Sequence, residues 1–543
     1  MRQSQGNYLV KMKLYKHQEE ALKRMKKMDR EGRGGVLAFE PGLGKTLTMI
    51  THLSTDKKGT NLVISPVAVL DHWKSEIEKV NPGNKILVYH GNKRNRTELY
   101  SQWDYILTTY DIAKQAKATT KGMKYELDIK IYNCIVLDEA HVIRNGLQKK
   151  SPKVCKAIYS YRSKKRWCLT GTPINNRTMD LAALAKFLQT PKFTDKKGWH
   201  TSWNVNSEEV QEWCDKYMIV ENKSNIMKPP KYHDIVIKPK QKENELIDAL
   251  RDVASKKFDE WMESEKEDRI KKQAQILALI MKMRQCSDSY HVLGNLFKEK
   301  SAKTLEKSSS KVEKTIEIIK KRLTFKRENV SGPKDPSNSI VVFSQFTRYL
   351  KLLKKVLLNV FPEMKEDENL WMYTGSTSKS KRDTIVNSFT STSTKGPKIL
   401  LISLFSGGVG LNLKPSASII LSEPWYNPFI EKQAEDRVHR LGQDNQVNVY
   451  RLTIDNSVEK WIQGIKLKKL NIVSDINVFS GSMSNIKIGG MSSATFKMDD
   501  LQNLFSKHVA FTSSVSKDDE SPSMTRDSQS NEYNSFSERI IIA

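Results

Sequence analysis

The run Gly35-Val36-Leu37-Ala38-Phe39 leads without a gap into Glu40-Pro41-Gly42-Leu43-Gly44-Lys45-Thr46, and a helical pattern follows at once. Strand, glycine-rich loop and helix in that order belong to α/β folds built on a parallel sheet. Glycines let the backbone approach an anion, and the N–H groups of the loop and the helix start point at it. Gly42, Leu43 and Gly44 are therefore expected to cradle the phosphates of ATP. Lys45 should neutralise the β- and γ-phosphates, and Thr46 should hold Mg2+. The strict G-x-x-x-x-G-K-T pattern is not met, because Phe39 occupies the first glycine position.

Two further clusters carry chemistry that a nucleotide site needs. Asp138-Glu139 follows the apolar run Ile135-Val136-Leu137. Both carboxylates should thus emerge at the C-terminal end of a buried strand, where open α/β sheets bind ligands. Asp138 can hold Mg2+, and Glu139 can orient and deprotonate the attacking water. About three hundred residues later comes Gln433-Ala434-Glu435-Asp436-Arg437-Val438-His439-Arg440. Arg437 and Arg440 lie at i, i+3 and so should share one helix face, from which both can stabilise charge on a γ-phosphate. A loop near the start and paired arginines near the end suggest an ATP site split between two lobes.

The chain has 91 Lys+Arg against 62 Asp+Glu, a formal charge of +29. That excess favours a polyanionic partner, most simply nucleic acid. The hydrophobic fraction is 38 % with no long uncharged apolar run, so a membrane span is not expected. The N-terminal residues carry no apolar signal segment. Five scattered cysteines suit reduced thiols in an intracellular protein, nuclear or cytoplasmic.

Strands are expected at Gly35–Phe39, Leu62–Ser65, Ile86–Tyr89, Tyr105–Thr109, Cys134–Leu137 and Cys168–Gly171. A helix over His72–Lys79 should follow an Asp71 cap. The first α/β lobe accordingly spans 1–190. From 191 to 338 the pattern changes to a helical insertion and connector. It contains Trp199, Trp203 and Trp213, a strand Tyr232–Ile237, a charged helical stretch from Gln241 to about Met283, and a linker over Lys326–Ser339. A second α/β lobe, 339–478, should contain strands Ile340–Phe343, Leu370–Tyr373, Ile399–Ser403, Ser418–Leu421 and Asn448–Leu452. A helix from Val458 to about Val473 closes it. Residues 479–543 are polar and offer little apolar surface to repay ordering, so a disordered tail is expected.

Taken in order from Leu14 to Ile476, these residues resemble the Swi/Snf-type branch of the superfamily 2 helicase-like ATPases. Leu14-Tyr15-Lys16-His17-Gln18 is similar to the family's Q motif, which implies an adenine contact for Gln18. Leu62 through Pro66 and Leu107 through Tyr110 resemble motifs Ia and Ib. Leu169 through Asn176 resembles motif III. Val342 through Phe346 resembles motif IV, Tyr373 through Thr377 the next block, Ser403 through Leu413 motif V, and Gln433 through Gln443 motif VI. The family writes motif VI as D-R-x-H-R-x-G-Q, as found here. Pro424-Trp425-Tyr426-Asn427-Pro428 and Met283-Arg284-Gln285-Cys286-Ser287 resemble two further blocks of the branch. Pro41 and Phe405 depart from it, standing where Met and a basic residue are usual.

The resemblance implies two tandem RecA-like lobes. It adds Gln433 to the catalytic set and Gly410 to the nucleotide contacts. It assigns nucleic-acid grip and coupling to Ser65, Pro66, Thr108, Thr109, Thr170, Thr172, Ser344, Gln345, Ser403 and Trp425. The expected activity is ATP-dependent translocation on double-stranded DNA, with a nucleosome, an RNA polymerase or another DNA-bound protein as the obstacle to be moved. The compact layout is similar to the lean Swi/Snf-type ATPases of large DNA viruses, in which case a virion location would also be open. A strand-separating DNA or RNA helicase remains an alternative, as does a non-catalytic nucleic-acid-binding scaffold.

Overall fold

The computed structural model describes residues 13–466, except 33, 57–58, 93, 120–121, 148–150, 172, 174–178, 191–207, 325–336, 392–395, 407–410 and 465. Trp199, Trp203, Thr172, Gly410, most of the expected linker, the end of the closing helix and the polar tail therefore lie outside the described residues. The chain divides into two compact units, one running to Pro229 and the other starting at Pro230.

Among its described residues the first unit carries nine strands: β1 Gly35–Phe39, β2 Asn61–Ser65, β3 Ile86–Val88, β4 Tyr105–Thr109, β5 Ala116–Thr119, β6 Gly122–Tyr125, β7 Tyr132–Asp138, β8 Ser163–Leu169 and β9 Met218–Glu221. β5 and β6 form a separate antiparallel hairpin. The other seven make one parallel sheet in the order β3-β4-β2-β7-β8-β1-β9. β1, β2, β4 and β7 are buried along their whole length. That explains why they read as short continuous apolar runs instead of alternating ones. The packed core draws on both the sheet and its covering helices, with Ile135, Leu137, Leu181 and Phe187 among its members.

β9 extends this sheet beyond the boundary expected at 190. It pairs in parallel with β1, Val36 opposite Met218 and Phe39 opposite Glu221. The first unit thus needs residues well past 190 to complete its sheet. The helix expected after Asp71 begins earlier, at Leu70, with Val69 as its N-cap. Asp71 sits in the first turn, where a carboxylate still favours the positive helix end.

The second unit carries β10 Lys231–Ile237, β11 Ser339–Ser344, β12 Leu370–Tyr373, β13 Lys398–Ser403, β14 Ser418–Leu421 and β15 Asn448–Ile454. All pair in parallel in the order β10-β15-β14-β11-β13-β12. The charged stretch after β10 is two helices, Gln241–Met262 and Lys266–Asp288. Their apolar faces (Leu246, Leu250, Ile280 and Met283) share one core with Ile340, Val342 and Leu452 of the sheet. The segment expected as a connector is therefore structurally part of the second unit. Among the described residues no helix is long and apolar enough to cross a membrane. All five cysteines are buried and none forms a disulfide.

Candidate nucleotide and nucleic-acid site

Parallel register places the first unit's motifs along one sheet edge. Leu37 of β1 lies opposite Leu169 of β8, which lies opposite Asp138 of β7. Ile64 pairs with Leu137, and Ser65 with Thr109. The loop after β1, the Asp138-Glu139 pair, Thr170-Gly171, Ser65-Pro66 and Thr108-Thr109 consequently all emerge at the same C-terminal edge.

The loop itself needs glycine at two places. Gly42 has φ 89° and Gly44 φ 80°, the left-handed region that L side chains rarely enter. Gly44 caps the helix Lys45–Leu53, whose first turn carries Lys45 and Thr46. The Lys45 ammonium donates to the Phe39 carbonyl at 2.9 Å, and Leu43 is fully buried. Gln18 is buried too. Its carboxamide accepts from the Tyr15 N–H at 3.0 Å and donates to the Gly44 carbonyl at 3.4 Å. Next to it, His17 Nε2 lies 3.1 Å from the Leu43 carbonyl. The segment that resembles the Q motif is thus bonded directly to the phosphate loop.

Asp138 is buried, and each of its oxygens has a donor. Trp73 Nε1–H reaches Oδ2 at 2.8 Å, and the Glu139 N–H reaches Oδ1 at 3.0 Å. Tyr110 O–H holds the Asp138 carbonyl at 2.7 Å. Burial pushes the Asp138 carboxyl up to about 6, the Glu139 charge adds to this, and Trp73 and Lys45 oppose it. Glu139 is a non-glycine residue in the left-handed region, φ 51° and ψ 51°. Such a conformation costs about 1–3 kcal/mol and is found where function requires it. His141 Nδ1 stands 3.3 Å from Glu139 Oε2. A crowded carboxylate pair partly offset by Lys45, with the Thr46 hydroxyl at the same loop, suits a divalent cation.

Thr170 is fully buried at the end of β8. A Cβ added to Gly171 would meet Pro41 Cδ at 2.8 Å. Motif III therefore lies against the phosphate loop, and this contact occurs at the chain's unusual Pro41. Ser65, Thr108 and Thr109 are buried. Thr108 donates to the Tyr89 carbonyl at 2.8 Å, and Thr109 Oγ accepts the Ile112 N–H at 3.3 Å. These hydroxyls are committed to fixing the strand ends, while Pro66 is partly exposed.

In the second unit, Ser344 and Gln345 end β11 and Ser403 ends β13, with Ser344 opposite Ser403 in register. Ser403 Oγ lies 2.9 Å from Ser406 Oγ. Phe405 is 54 % exposed and meets Trp425 edge-on at 5.0 Å. Gln433 lies on the helix Pro428–Glu435. Arg437 and Arg440 do not share a helix face as expected, because that helix closes at Glu435. The following turn is pulled aside by the Leu413 N–H, which donates to the Arg437 carbonyl at 2.9 Å. The two guanidinium groups nevertheless remain neighbours. Burial and, after it, the Arg437 charge lower Arg440 to about 10, with Asp436 opposing them, which leaves it a cation at neutral pH. Arg440 Nε–H donates to the Asp436 carbonyl at 2.9 Å.

Sequence reasoning missed several supporting groups: His17, Trp73, Tyr110 and Glu423. Glu423 Oε1 accepts from Ser344 Oγ at 3.2 Å and from the Gln345 N–H at 2.5 Å. A carboxylate two residues past an apolar strand was its one visible signal, similar to the one that marked Asp138.

The SNF2-related domain family matches residues 17–292, and the helicase conserved C-terminal domain matches residues 311–442. A "Probable global transactivator" of Orgyia pseudotsugata multicapsid polyhedrosis virus is 29% identical over 479 residues, covering 85% of this chain and 91% of that one. "Transcription termination factor 2" of Drosophila melanogaster is 26% identical over 663 residues, covering 91% of this chain and 59% of that protein. The SWI2/SNF2 ATPase core of Sulfolobus solfataricus in complex with dsDNA aligns over 92% of this chain and 98% of that one, at 23% identity and a TM-score of 0.39.

Proposed function

The chain belongs to the SNF2-related family, nucleic-acid-dependent ATPases of helicase superfamily 2, and from that premise we propose that it translocates on double-stranded DNA to displace or remodel proteins bound there. The observation that carries the reading is the convergence of Gly44, Lys45, Thr46, Asp138, Glu139 and Gly171 on one sheet edge, with no member of the hydrolytic set replaced. The net charge of +29 supports a polyanionic track. Names of relatives such as the fly transcription termination factor point towards DNA-bound machinery as the obstacle.

In the proposed cycle Lys45 binds the phosphates of ATP and Glu139 orients the attacking water and accepts its proton. Thr46 and Asp138 would hold Mg2+, which when bound neutralises phosphate charge. Arg437 and Arg440 supply the cations for charge developing on the γ-phosphate, and Gln433 assists beside them. Nucleotide-driven shifts of the strand ends that carry Ser65-Pro66, Thr108-Thr109, Ser344-Gln345, Ser403 and Trp425 change how those loops hold the duplex and so move its backbone. Phosphate contacts position without reading bases, so sequence specificity is low.

Two assays test this. ATP hydrolysis is measured on duplex DNA, single-stranded DNA and RNA, for the wild type and for Glu139→Gln. Duplex DNA should stimulate most, and the variant should lose at least about a hundredfold in kcat while retaining ATP binding. The second assay follows release of a triplex-forming strand from a duplex. Displacement of the third strand without separation of a forked duplex is expected. Robust unwinding of the fork would replace the translocase reading with that of a helicase.

A further inference from the structure

The sequence singled out Met283-Arg284-Gln285-Cys286-Ser287, yet nothing in the hydrolytic cycle uses it. Arg284 is 1% exposed. Its Nη2–H donates to the Pro424 carbonyl at 3.2 Å. The guanidinium carbon lies 4.8 Å from the Trp425 ring centroid, 5.2 Å from Tyr426 and 5.6 Å from Phe346. A planar cation held among three aromatic rings is a specific arrangement, and lysine cannot reproduce its fork.

Behind it lies a buried group of charges drawn from every element packed there. Asp288 comes from the helix that carries Arg284. Lys311 comes from the helix Ser310–Arg322, Glu459 from the turn of helix after β15, and Glu423 from the end of β14. Lys311 Nζ contacts Asp288 Oδ1 at 2.8 Å and Glu459 Oε1 at 2.5 Å, all three fully buried. Tyr349, on the helix Thr347–Val360, adds a phenol that lies 3.5 Å from Thr315 Oγ1. Three carboxylates, Asp288, Glu423 and Glu459, face two cations, Arg284 and Lys311. Burial pushes Asp288 well above the ordinary carboxylate range, and burial also pushes Glu423 up to about 7. Burial would lower the Lys311 ammonium, but Asp288 and Glu459 more than reverse it.

The same group touches the functional loops. Glu423 fixes Ser344 and the Gln345 N–H, while Arg284 fixes Pro424. One residue on, the Trp425 N–H donates to Glu431 Oε1 at 2.8 Å, on the helix that carries Gln433 and leads to Arg437 and Arg440. We propose that Arg284 and Glu423 are positioning residues for hydrolysis. Together they form a buried joint that sets the ends of motif IV and of the Pro424–Asn427 block, and through Glu431 the approach of the motif VI arginines. Neither touches nucleotide. Both act on kcat through loops whose own backbone they hold.

This inference rests on the chain being a nucleic-acid-stimulated ATPase. The test uses the full chain carrying Arg284→Met, Arg284→Lys or Glu423→Gln. It measures kcat and KM for ATP at saturating duplex DNA, binding of a fluorescent ATP analogue without DNA, and thermal melting. Arg284→Met should lower kcat about tenfold or more while KM for ATP and analogue binding stay within about twofold. Arg284→Lys should recover part of that loss, because it restores charge but not the fork. Glu423→Gln keeps an acceptor for Gln345 and removes the charge facing Arg284 and Lys311. Ionised Glu423 strengthens its hold on the Gln345 N–H and on Arg284, so wild-type kcat should rise with pH through about 7, and Glu423→Gln should flatten that rise.

A folded Arg284→Met protein with wild-type kcat would overturn the proposal. So would a loss that scales only with the melted fraction. Should that variant not fold, the pH profile of the near-isosteric Glu423→Gln decides alone, and an unchanged rise through about 7 would overturn it. Failure of the wild type to hydrolyse ATP on any nucleic acid would instead sink the functional reading beneath it.

Discussion

Trp73 is an unlikely partner for a catalytic carboxylate on paper, since it stands 65 residues from Asp138 in sequence. Its place on the buried face of the helix Leu70–Val80 brings the indole N–H to Oδ2. The bond favours the charged carboxylate, against burial and the Glu139 charge that together lift it to about 6. Asp138 can hold a cation only when ionised, and a bound cation itself favours ionisation, so activity should fall on the acid side of about 6. Trp73→Phe removes one of the forces lowering that value and leaves most of the ring's volume. The acid limb of the kcat–pH profile should therefore move upward by roughly half a unit to one unit, while the plateau above pH 8 changes little. An acid limb that stays in place, measured across pH 5 to 8.5, would show that the indole bond does not set the ionisation.

At the scale of elements, Gly171 and Pro41 offer a direct test of how motif III meets the phosphate loop. A Cβ at Gly171 would lie 2.8 Å from Pro41 Cδ and 3.0 Å from Cγ. Contacts that close force backbone to move and cost about 1–3 kcal/mol. Gly171→Ala should accordingly lower both melting temperature and DNA-stimulated kcat. Pro41→Ala removes the two offending carbons. In a double-mutant cycle the pair should show a favourable interaction energy of about 1 kcal/mol, with partial recovery of kcat. Additive losses would mean that the contact does not transmit between the two loops.

The same scale shows what the sequence could and could not convey. β1, β4, β12 and β14 were legible to the residue because each is a short apolar run buried on both faces and bounded by turn residues. β9 was not. Its four residues, Met218–Glu221, follow directly on the helix Glu208–Tyr217, and only pairing with β1 makes them a strand. The first lobe was ended too early for that reason. The turn at Arg437 was equally hidden, because a bond from distant Leu413 diverts a stretch whose local pattern reads as helix. The candidate catalytic residues stand out in the sequence because phosphate chemistry dictates their types and spacing. Trp73 depends on a tertiary contact that carries no local signature, and for Arg284 and Glu423 the local pattern marks the residue but not the contacts it makes.

For the whole molecule the decisive quantity is the balance of 91 basic against 62 acidic side chains. Pairing within the fold does not absorb that excess, because the best-paired lysines each face two acids. Lys311 is sealed between Asp288 and Glu459, and Lys165 bridges Asp29 and Asp56. Exposed pairs such as Lys114 with Asp111 or Lys381 with Asp367 remain open to screening by salt. The surplus that reaches the surface should bind DNA by releasing its condensed counterions. With six or more phosphates neutralised, affinity for duplex DNA should fall on the order of 10³-fold or more between 50 and 200 mM salt. ATP binding, which relies on Lys45 and backbone groups in a partly enclosed loop, should change far less. Measuring the DNA concentration for half-maximal ATPase stimulation across that range, beside analogue affinity without DNA, separates the two. A steep slope in the first and a shallow one in the second is the expected pair. Equal, shallow slopes would mean that the charge excess is a solvated surface and that the duplex is gripped by uncharged contacts, in which case substituting surface lysines should leave stimulation intact.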